Sequence, residues 1–178
     1  MKTPMTASLH IDHVQSRPDM GLIGLSICPG KKKLEGKTEP HRIDMITDLH
    51  AICAWNAVAV LTLLEERDMH DLGVSDLGEK ILSVGLQWFH LPIKDYGIPS
   101  GAFEKHWQTV SKDLHTILKA GDNILVHCNA GLGRSGTIAA KLLIELGIEA
   151  KDAVHQIRQI RPGAIETTAQ LNYVMNLK

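Results

Sequence analysis

The chain has 178 residues, of which 44% are hydrophobic, so it can bury one substantial core but is short for two ordinary domains. Nineteen basic residues against twenty acidic ones give a formal net charge of -1, which excludes a global positive field that would draw the protein to nucleic acid or acidic membranes. No apolar stretch reaches the length that crosses a bilayer. We therefore expect a soluble, cytoplasmic protein with no membrane or nucleic-acid partner.

The cysteines and histidines show no metal-binding pattern. Cys28, Cys53 and Cys128 are odd in number and widely spaced, which favours reduced thiols over a disulfide framework. The ten histidines form no HExxH motif and no close His/Cys pairing with zinc-ligand spacing. We predict no metal ion and no other cofactor, and we expect Cys28 and Cys53 to be inert apolar residues.

Apolar segments predict strands that alternate with helices. The predicted strands are a short one at Leu22–Cys28 and three buried parallel ones at Ala57–Leu64, Gln87–Ile93 and Asn123–Cys128. Apolar residues spaced along one helix face predict helices at Ala102–Lys119, Ser135–Leu146, Lys151–Arg161 and Thr167–Leu177. The lysine-rich segment Pro29–Pro40 is predicted to be an exposed loop, with Lys31–Lys33 a solvated charge run or, as the alternative, a substrate-binding patch. The pattern predicts an α/β fold: a single domain whose central, mostly parallel sheet is flanked by helices.

The segment ILVHCNAGLGRSG joins a predicted strand to a helix N-terminus through a glycine-rich loop. A helix N-terminus presents unpaired N–H groups and the positive end of the helix dipole, so this loop is suited to bind an anion. Gly131 and Gly133 free the backbone to turn its amides toward a common centre, and the Arg134 guanidinium can bind two phosphate oxygens. We therefore predict a phosphate-binding loop formed by Asn129, Ala130, Gly131, Leu132, Gly133 and Arg134.

A thiol in this position can act as a nucleophile. Helix N-termini and neighbouring cations favour the thiolate form of a cysteine, so we expect Cys128 to be ionised at neutral pH. In-line attack on phosphate would form a phosphocysteine, with Ser135 donating a hydrogen bond to the sulfur. The leaving oxygen needs a proton, and LPIKDYGIPS offers Asp95 in a turn-rich loop after a strand. A turn-capping role for Asp95, or a catalytic role for Asp113 or Asp122, is the alternative.

The segment HCNAGLGRSG matches the HCxxGxxR[ST] signature of the protein tyrosine phosphatase superfamily at every defined position, so the chain resembles that superfamily. PIKDYGIP resembles the general-acid loop of dual-specificity phosphatases, and RPGAIETTAQLNYV resembles their C-terminal segment, where Gln170 would position water. With the CPG stretch at Cys28–Gly30, the chain is most similar to the kinase-associated phosphatase group. The resemblance begins near Gly21, so residues 1–20 are predicted to be an N-terminal extension and residues 21–178 the catalytic domain.

The resemblance implies a metal-free, two-step hydrolysis of phosphotyrosine or phosphoserine/threonine in protein substrates. Cys128 would be the nucleophile, Arg134 the phosphate clamp and Asp95 first acid and then base, while His127 would support the loop. The chain has no extended tyrosine-recognition loop upstream, which implies a shallow, dual-specificity pocket. Beyond a phosphorylated protein substrate, no partner subunit is identifiable.

Other functions use the same loop. A phosphoresidue-binding module would keep the anion site without turnover, and the intact Cys128, Arg134 and Asp95 argue against it. A phosphoinositide phosphatase is disfavoured because the loop interior has no lysine or arginine, and an RNA 5′-triphosphatase because no broad basic surface is evident. A sulfur-transferase or arsenate-reductase-like fold is disfavoured by the upstream Asp95 loop and by the position of Cys128 late in the chain. Two smaller hypotheses are that Glu65 or Glu66 braces Arg134 and that peroxide inactivates the enzyme reversibly.

Overall fold

A five-stranded sheet forms the centre of the computed structural model, which describes residues 9–31 and 44–177. The strands are β1 (Asp12–Val14), β2 (Ile23–Ser26), β3 (Ala57–Thr62), β4 (Gln87–His90) and β5 (Asn123–His127). They lie in the order β1-β2-β5-β3-β4. β1 runs antiparallel to β2, and every other neighbouring pair is parallel. The predicted α/β fold with a mostly parallel sheet is confirmed.

Helices cover both faces of this sheet. In the described ranges they are α1 (Met45–Ala54), α2 (Glu66–Asp71), α3 (Leu77–Ser83), α4 (Gly101–Lys119), α5 (Gly133–Glu145), α6 (Ala150–Ile160) and α7 (Thr168–Met175). Successive strand residues face opposite sides. Ile124 and Val126 therefore pack into one core with α4 to α7, whereas Leu125 packs into a second core with α1 to α3. None of the helices within these ranges is long and apolar enough to cross a membrane.

The predicted strands and helices all occur, with ends that differ by up to three residues. The predicted burial is wrong for β4, because this strand lies at the edge of the sheet and its residues are exposed or half-buried. Four elements were not predicted: β1, α1, α2 and α3. Each is too short, or too weakly patterned, to show a clear period in the sequence. β1 lies inside the predicted N-terminal extension, yet it pairs with β2, and Val14 within it is buried.

The predicted exposed loop at Pro29–Pro40 is wrong at its beginning. Pro29 and Gly30 are buried, because the chain turns there and the Gly30 N–H donates to the carboxylate of Asp48 at 2.8 Å. Lys31 is half-buried and donates from Nζ to the carbonyl oxygen of Asn129 at 3.2 Å, so it is not part of a solvated run. Residues 32–40 lie outside the described residues.

A buried lysine joins the helices that flank the site. Lys141 of α5 is 6% exposed and its Nζ lies 3.3 Å from Glu104 of α4 and 3.6 Å from Glu145. The same Nζ lies over the rings of Trp107 and Tyr173, 5.7 and 5.5 Å from their centres. A buried charge is tolerated only with such partners. Because Tyr173 belongs to α7, this cluster fixes α7 against α4 and α5.

Candidate active site

The loop between β5 and α5 lies at the carboxyl edge of the sheet, and its carbonyl groups all point outward. Each carbonyl oxygen from His127 to Gly133 accepts a hydrogen bond from outside the loop's concave side. The donors, in chain order, are Leu63 N (3.1 Å), His127 Nδ1 (3.3 Å), Cys28 N (3.1 Å), Arg161 Nη2 (2.9 Å), Arg161 Nε (2.5 Å), Ile165 N (3.2 Å) and Thr137 Oγ1 (2.7 Å). These bonds hold the orientation of every peptide group in the loop.

The outward carbonyls turn the amides inward. A carbonyl and the N–H of the next residue lie on opposite sides of one trans peptide plane. The N–H groups of residues 129–134 therefore face the concave side, and none of them has an acceptor among the described residues. Converging N–H groups at the start of a helix form an anion site. The predicted phosphate-binding loop thus has the required backbone geometry.

The two loop glycines contribute in different ways. Gly131 has φ +71°, and a Cβ there would lie 2.3 Å from the carbonyl oxygen of Ser26. Gly133 has no such dihedral, but a Cβ at this position would lie 2.4 Å from Glu166 Oε2 and 3.0 Å from the Gln170 amide. Gly131 thus supplies a left-handed backbone and Gly133 supplies space for the segment before α7.

Cys128 opens the loop and is 3% exposed. Its Sγ lies 3.5 Å from Ser135 Oγ in the first turn of α5, as the predicted hydrogen bond to the sulfur requires. Cys28 is also buried, and its burial raises the pKa of its thiol to about 12. Cys28 is therefore a neutral thiol at pH 7, in keeping with the inert role expected for it.

Arg134 is 2% exposed and is held by acceptors from two other segments. Its Nη1 donates to Asp68 Oδ2 at 2.6 Å and to the carbonyl oxygen of Ile93 at 3.1 Å, while Nη2 lies 3.0 Å from Asp95 Oδ1. Burial works to lower the pKa of Arg134, but the Asp68 hydrogen bond and the neighbouring acidic groups outweigh it, so the pKa is raised. The guanidinium is a fixed positive charge beside the loop.

The prediction that Glu65 or Glu66 braces Arg134 is wrong, because the bracing carboxylate is Asp68. β3 ends at Thr62, and the chain then enters α2, whose first turn presents Asp68. Both glutamates are exposed, and the Glu65 N–H donates to Asp68 Oδ2 at 3.2 Å. Asp68 Oδ2 therefore caps the N-terminus of α2 and also holds the arginine.

Asp95 lies beside the loop, whereas the two alternative acids, Asp113 and Asp122, lie away from it. Asp95 follows β4, its side chain is 53% exposed, and the carboxylate also accepts from the N–H of Tyr96 at 3.1 Å. Tyr96 has φ +56°, a strained value for a residue other than glycine. Asp113 is exposed in the middle of α4, and Asp122 precedes β5 at the amino edge of the sheet. Of the three, Asp95 is placed to reach a phosphate on Arg134.

His127 is fully buried beneath the loop and belongs to a chain of hydrogen bonds. Trp88 Nε1 donates to Thr62 Oγ1 at 2.9 Å, and that hydroxyl lies 2.8 Å from His127 Nε2. Because the Cys128 carbonyl can only accept, the proton of His127 is on Nδ1 and Nε2 accepts from Thr62. Burial lowers the pKa of His127 to about 4. A neutral imidazole here connects the loop to Thr62 of β3, and the supporting role of His127 stays a prediction.

Gln170 lies under the junction of three segments and is fully buried. Its Oε1 accepts from the N–H groups of Glu166 and Thr167, at 2.9 and 3.2 Å, within the capping box that begins α7. Its Nε2 donates to the Gly97 carbonyl at 3.0 Å. Gln170 thereby links α7 to the Asp95 loop beside Gly133. Its predicted role in positioning water stays a prediction.

Sequence reasoning missed the residues that hold the site from a distance, which are Asp68, Thr62, Trp88, Arg161 and Lys31. They contact the loop, the residues that flank it or one another, and these contacts join residues far apart in the chain, so no local spacing indicates them. For Arg161 the sequence gives one weak indication, which is its position at the end of a predicted helix, directly before Pro162-Gly163.

A mostly parallel sheet whose carboxyl edge carries a buried cysteine, an amide cradle and a buried arginine defines a cysteine-dependent phosphatase. The family model described as "Dual specificity phosphatase, catalytic domain" matches residues 31–178. The chain belongs to this family and is a protein phosphatase of the dual-specificity type.

Among individual proteins, rat cyclin-dependent kinase inhibitor 3 is 29% identical over 180 residues, which cover 97% of this chain and 78% of that protein. A crystal structure of kinase associated phosphatase, with its catalytic-site cysteine replaced by serine, superposes with a TM-score of 0.81 at 26% identity and covers 94% of this chain and 93% of that one. The active form of the phosphatase Tk-PTP matches with a TM-score of 0.66 at 25% identity, over 89% and 97% of the two chains. The predicted similarity to the kinase-associated phosphatase group is confirmed.

Proposed function

We propose that Cys128 is the nucleophile of a two-step phosphate transfer, with Arg134 as the phosphate clamp and Asp95 as the proton donor. One arrangement carries this assignment: Cys128 and Arg134 flank one loop whose N–H groups face inward, the Cys128 Sγ lies 3.5 Å from Ser135 Oγ, and Asp95 reaches the Arg134 guanidinium at 3.0 Å. Negative charge that develops on transferring phosphate needs donors already in position, which this loop provides.

In the first step, the phosphate group of the substrate binds to the loop N–H groups and to Arg134. Phosphate would compete with Asp95 for Nη2 of the arginine and leave the carboxyl free to face the leaving oxygen. The Cys128 thiolate then attacks phosphorus from the side opposite that oxygen. A sulfur–phosphorus bond forms, the phosphorus–oxygen bond breaks, and Asp95 donates its proton to the departing alcohol or phenol.

In the second step, water replaces the alcohol. Asp95, now a carboxylate, accepts a proton from the water as its oxygen attacks the phosphocysteine, and the products are inorganic phosphate and the free thiolate. Ser135 donates to the departing sulfur, in accord with its 3.5 Å distance. Gln170, next to the Asp95 loop and Gly133, is the proposed orienting group for the water.

The proposed substrate is a phosphorylated protein, and the proposed partner class is a protein kinase. The similarity to proteins named cyclin-dependent kinase inhibitor 3 and kinase associated phosphatase supports this choice. A phosphoinositide is disfavoured, because Lys31 and Arg161, which contact the loop in the described part of the chain, donate to loop carbonyls and not to the side where the amides converge. We also propose the cytoplasm as the location, since a reducing compartment keeps the thiols free.

Hydrolysis of p-nitrophenyl phosphate in excess chelator tests the mechanism. Wild type should turn over and be inhibited by orthovanadate, Cys128→Ser should be inactive while still binding vanadate, and Asp95→Asn should lose a factor of about 10² to 10⁴. Asp113→Asn is the matched control and should retain activity. Turnover that survives Cys128→Ser overturns the mechanism, and vanadate binding without wild-type turnover would favour a phosphoresidue-binding module.

A second assay tests the substrate class. Phosphotyrosine and phosphothreonine peptides are compared with a soluble phosphoinositide and an RNA 5′-triphosphate at equal concentration. Peptide turnover at the higher kcat/KM supports a protein substrate. A higher value for the phosphoinositide or the RNA contradicts it.

A further inference from the structure

Arg161 lies behind the phosphate-binding loop and is bound to two successive peptide groups of it. Its Nη2 donates to the carbonyl of Ala130 at 2.9 Å and its Nε donates to the carbonyl of Gly131 at 2.5 Å. The side chain is 13% exposed. The contact is close, because a Cβ on Gly131 would lie 2.7 Å from Arg161 Nη2.

These two bonds determine which way two N–H groups point. The Ala130 carbonyl shares a peptide plane with the Gly131 N–H, and the Gly131 carbonyl shares one with the Leu132 N–H. Holding both carbonyls on the outer side therefore holds both N–H groups on the inner side. Gly131 has no side chain to restrict these planes, so external donors are needed to prevent their rotation.

Arg161 is itself held by the N-terminal segment. Its Nη1 donates to Asp12 Oδ2 at 2.6 Å, and Asp12 belongs to β1, at the edge of the sheet. The other carboxylate oxygen of Asp12 lies 2.7 Å from His10 Nε2. The ion pair joins residues 149 positions apart. It ties residues 9–20, which the sequence places outside the catalytic domain, to the back of the loop.

We infer that Arg161, anchored by Asp12, is a positioning residue that aligns the Gly131 and Leu132 N–H groups toward bound phosphate. The inference rests on the proposed function of the loop as the phosphate site. Arg161 acts through hydrogen bonds and not through its charge, because Asp12 neutralises that charge and the donors point to the outer side of the loop. β1 accordingly helps to position the phosphate-binding loop.

Arg161→Lys and Asp12→Asn test this inference, and Asp19→Asn is the matched control. Lysine keeps the charge but lacks the planar fork of three nitrogens through which Arg161 binds the two carbonyls and Asp12, so it does not reproduce their geometry. Asp19 is in the same segment and pairs with Arg17 at 3.5 Å, but both side chains are more than half exposed and neither contacts the loop. Orthovanadate affinity is measured by calorimetry, which needs no turnover, together with kcat, KM and the thermal midpoint.

The expected result is about tenfold weaker vanadate binding for Arg161→Lys, the order of losing one hydrogen bond to a charged group. Asp12→Asn should weaken it about threefold, and the double variant should be no weaker than Arg161→Lys, since both act through one side chain. Asp19→Asn should bind as wild type. A lower thermal midpoint with unchanged vanadate affinity in Arg161→Lys would show a structural role only and overturn the inference. If wild type binds vanadate without turnover, the mechanism fails, while the affinity comparison still decides the role of Arg161.

Discussion

His127 is expected to make the stability of the protein depend on pH, because it is buried without charge. Burial lowers its pKa from 6.5 to about 4, so between these values the unfolded chain binds a proton that the folded protein does not. The contribution of His127 to the free energy of unfolding is fully present above pH 6.5 and is lost as the pH falls toward 4. At pH 5, about 1.5 units below the unfolded value, the loss is about 2 kcal/mol at 1.36 kcal/mol per unit.

Urea unfolding at pH 7 and pH 5 measures this difference in wild type and in His127→Asn. Asparagine cannot titrate, and its Nδ2 can donate to the Cys128 carbonyl as His127 Nδ1 does. The free energy of unfolding of wild type should fall by about 2 kcal/mol more than that of His127→Asn, whatever their absolute stabilities. His106→Asn, at an exposed position of α4, should keep the wild-type difference. Equal losses in wild type and His127→Asn would refute the neutral, buried imidazole.

Three further changes have defined outcomes. Asp68→Asn should lower kcat/KM for p-nitrophenyl phosphate about tenfold, since Arg134 loses a charge-assisted hydrogen bond. Glu65→Gln should leave kcat/KM unchanged. Equal effects of the two substitutions would contradict the bracing role assigned to Asp68. Gly131→Ala, at φ +71°, should abolish vanadate binding or folding. Gly101→Ala, where a Cβ meets open space, should do neither. Normal vanadate affinity in Gly131→Ala would disprove the backbone geometry of the loop. Hydrogen peroxide should inactivate the enzyme and dithiothreitol should restore it, and lasting inactivation would contradict a reversibly oxidised Cys128.

The local elements of this protein can be predicted from its amino-acid sequence. The strand, glycine-rich loop and helix around Cys128 are contiguous, so their order and spacing indicate an anion site without knowledge of the rest of the fold. The same is true of Asp95, which follows a strand within a turn-rich segment. Long periodic helices such as Ala102–Lys119 were also predicted close to their ends, because each presents several turns of one apolar face.

The contacts that hold that site in place become visible in the folded structure. Asp68 and not a glutamate at 65 or 66 reaches Arg134, because the direction of a side chain depends on how the short helix α2 packs after β3. Thr62 and Arg161 lie 65 and 30 positions from the residues that they bind in the loop. β1 is three residues long, and its role comes from an ion pair across 149 positions. Such contacts are created when separate segments meet in the folded chain, so no period or spacing within one segment carries information about them.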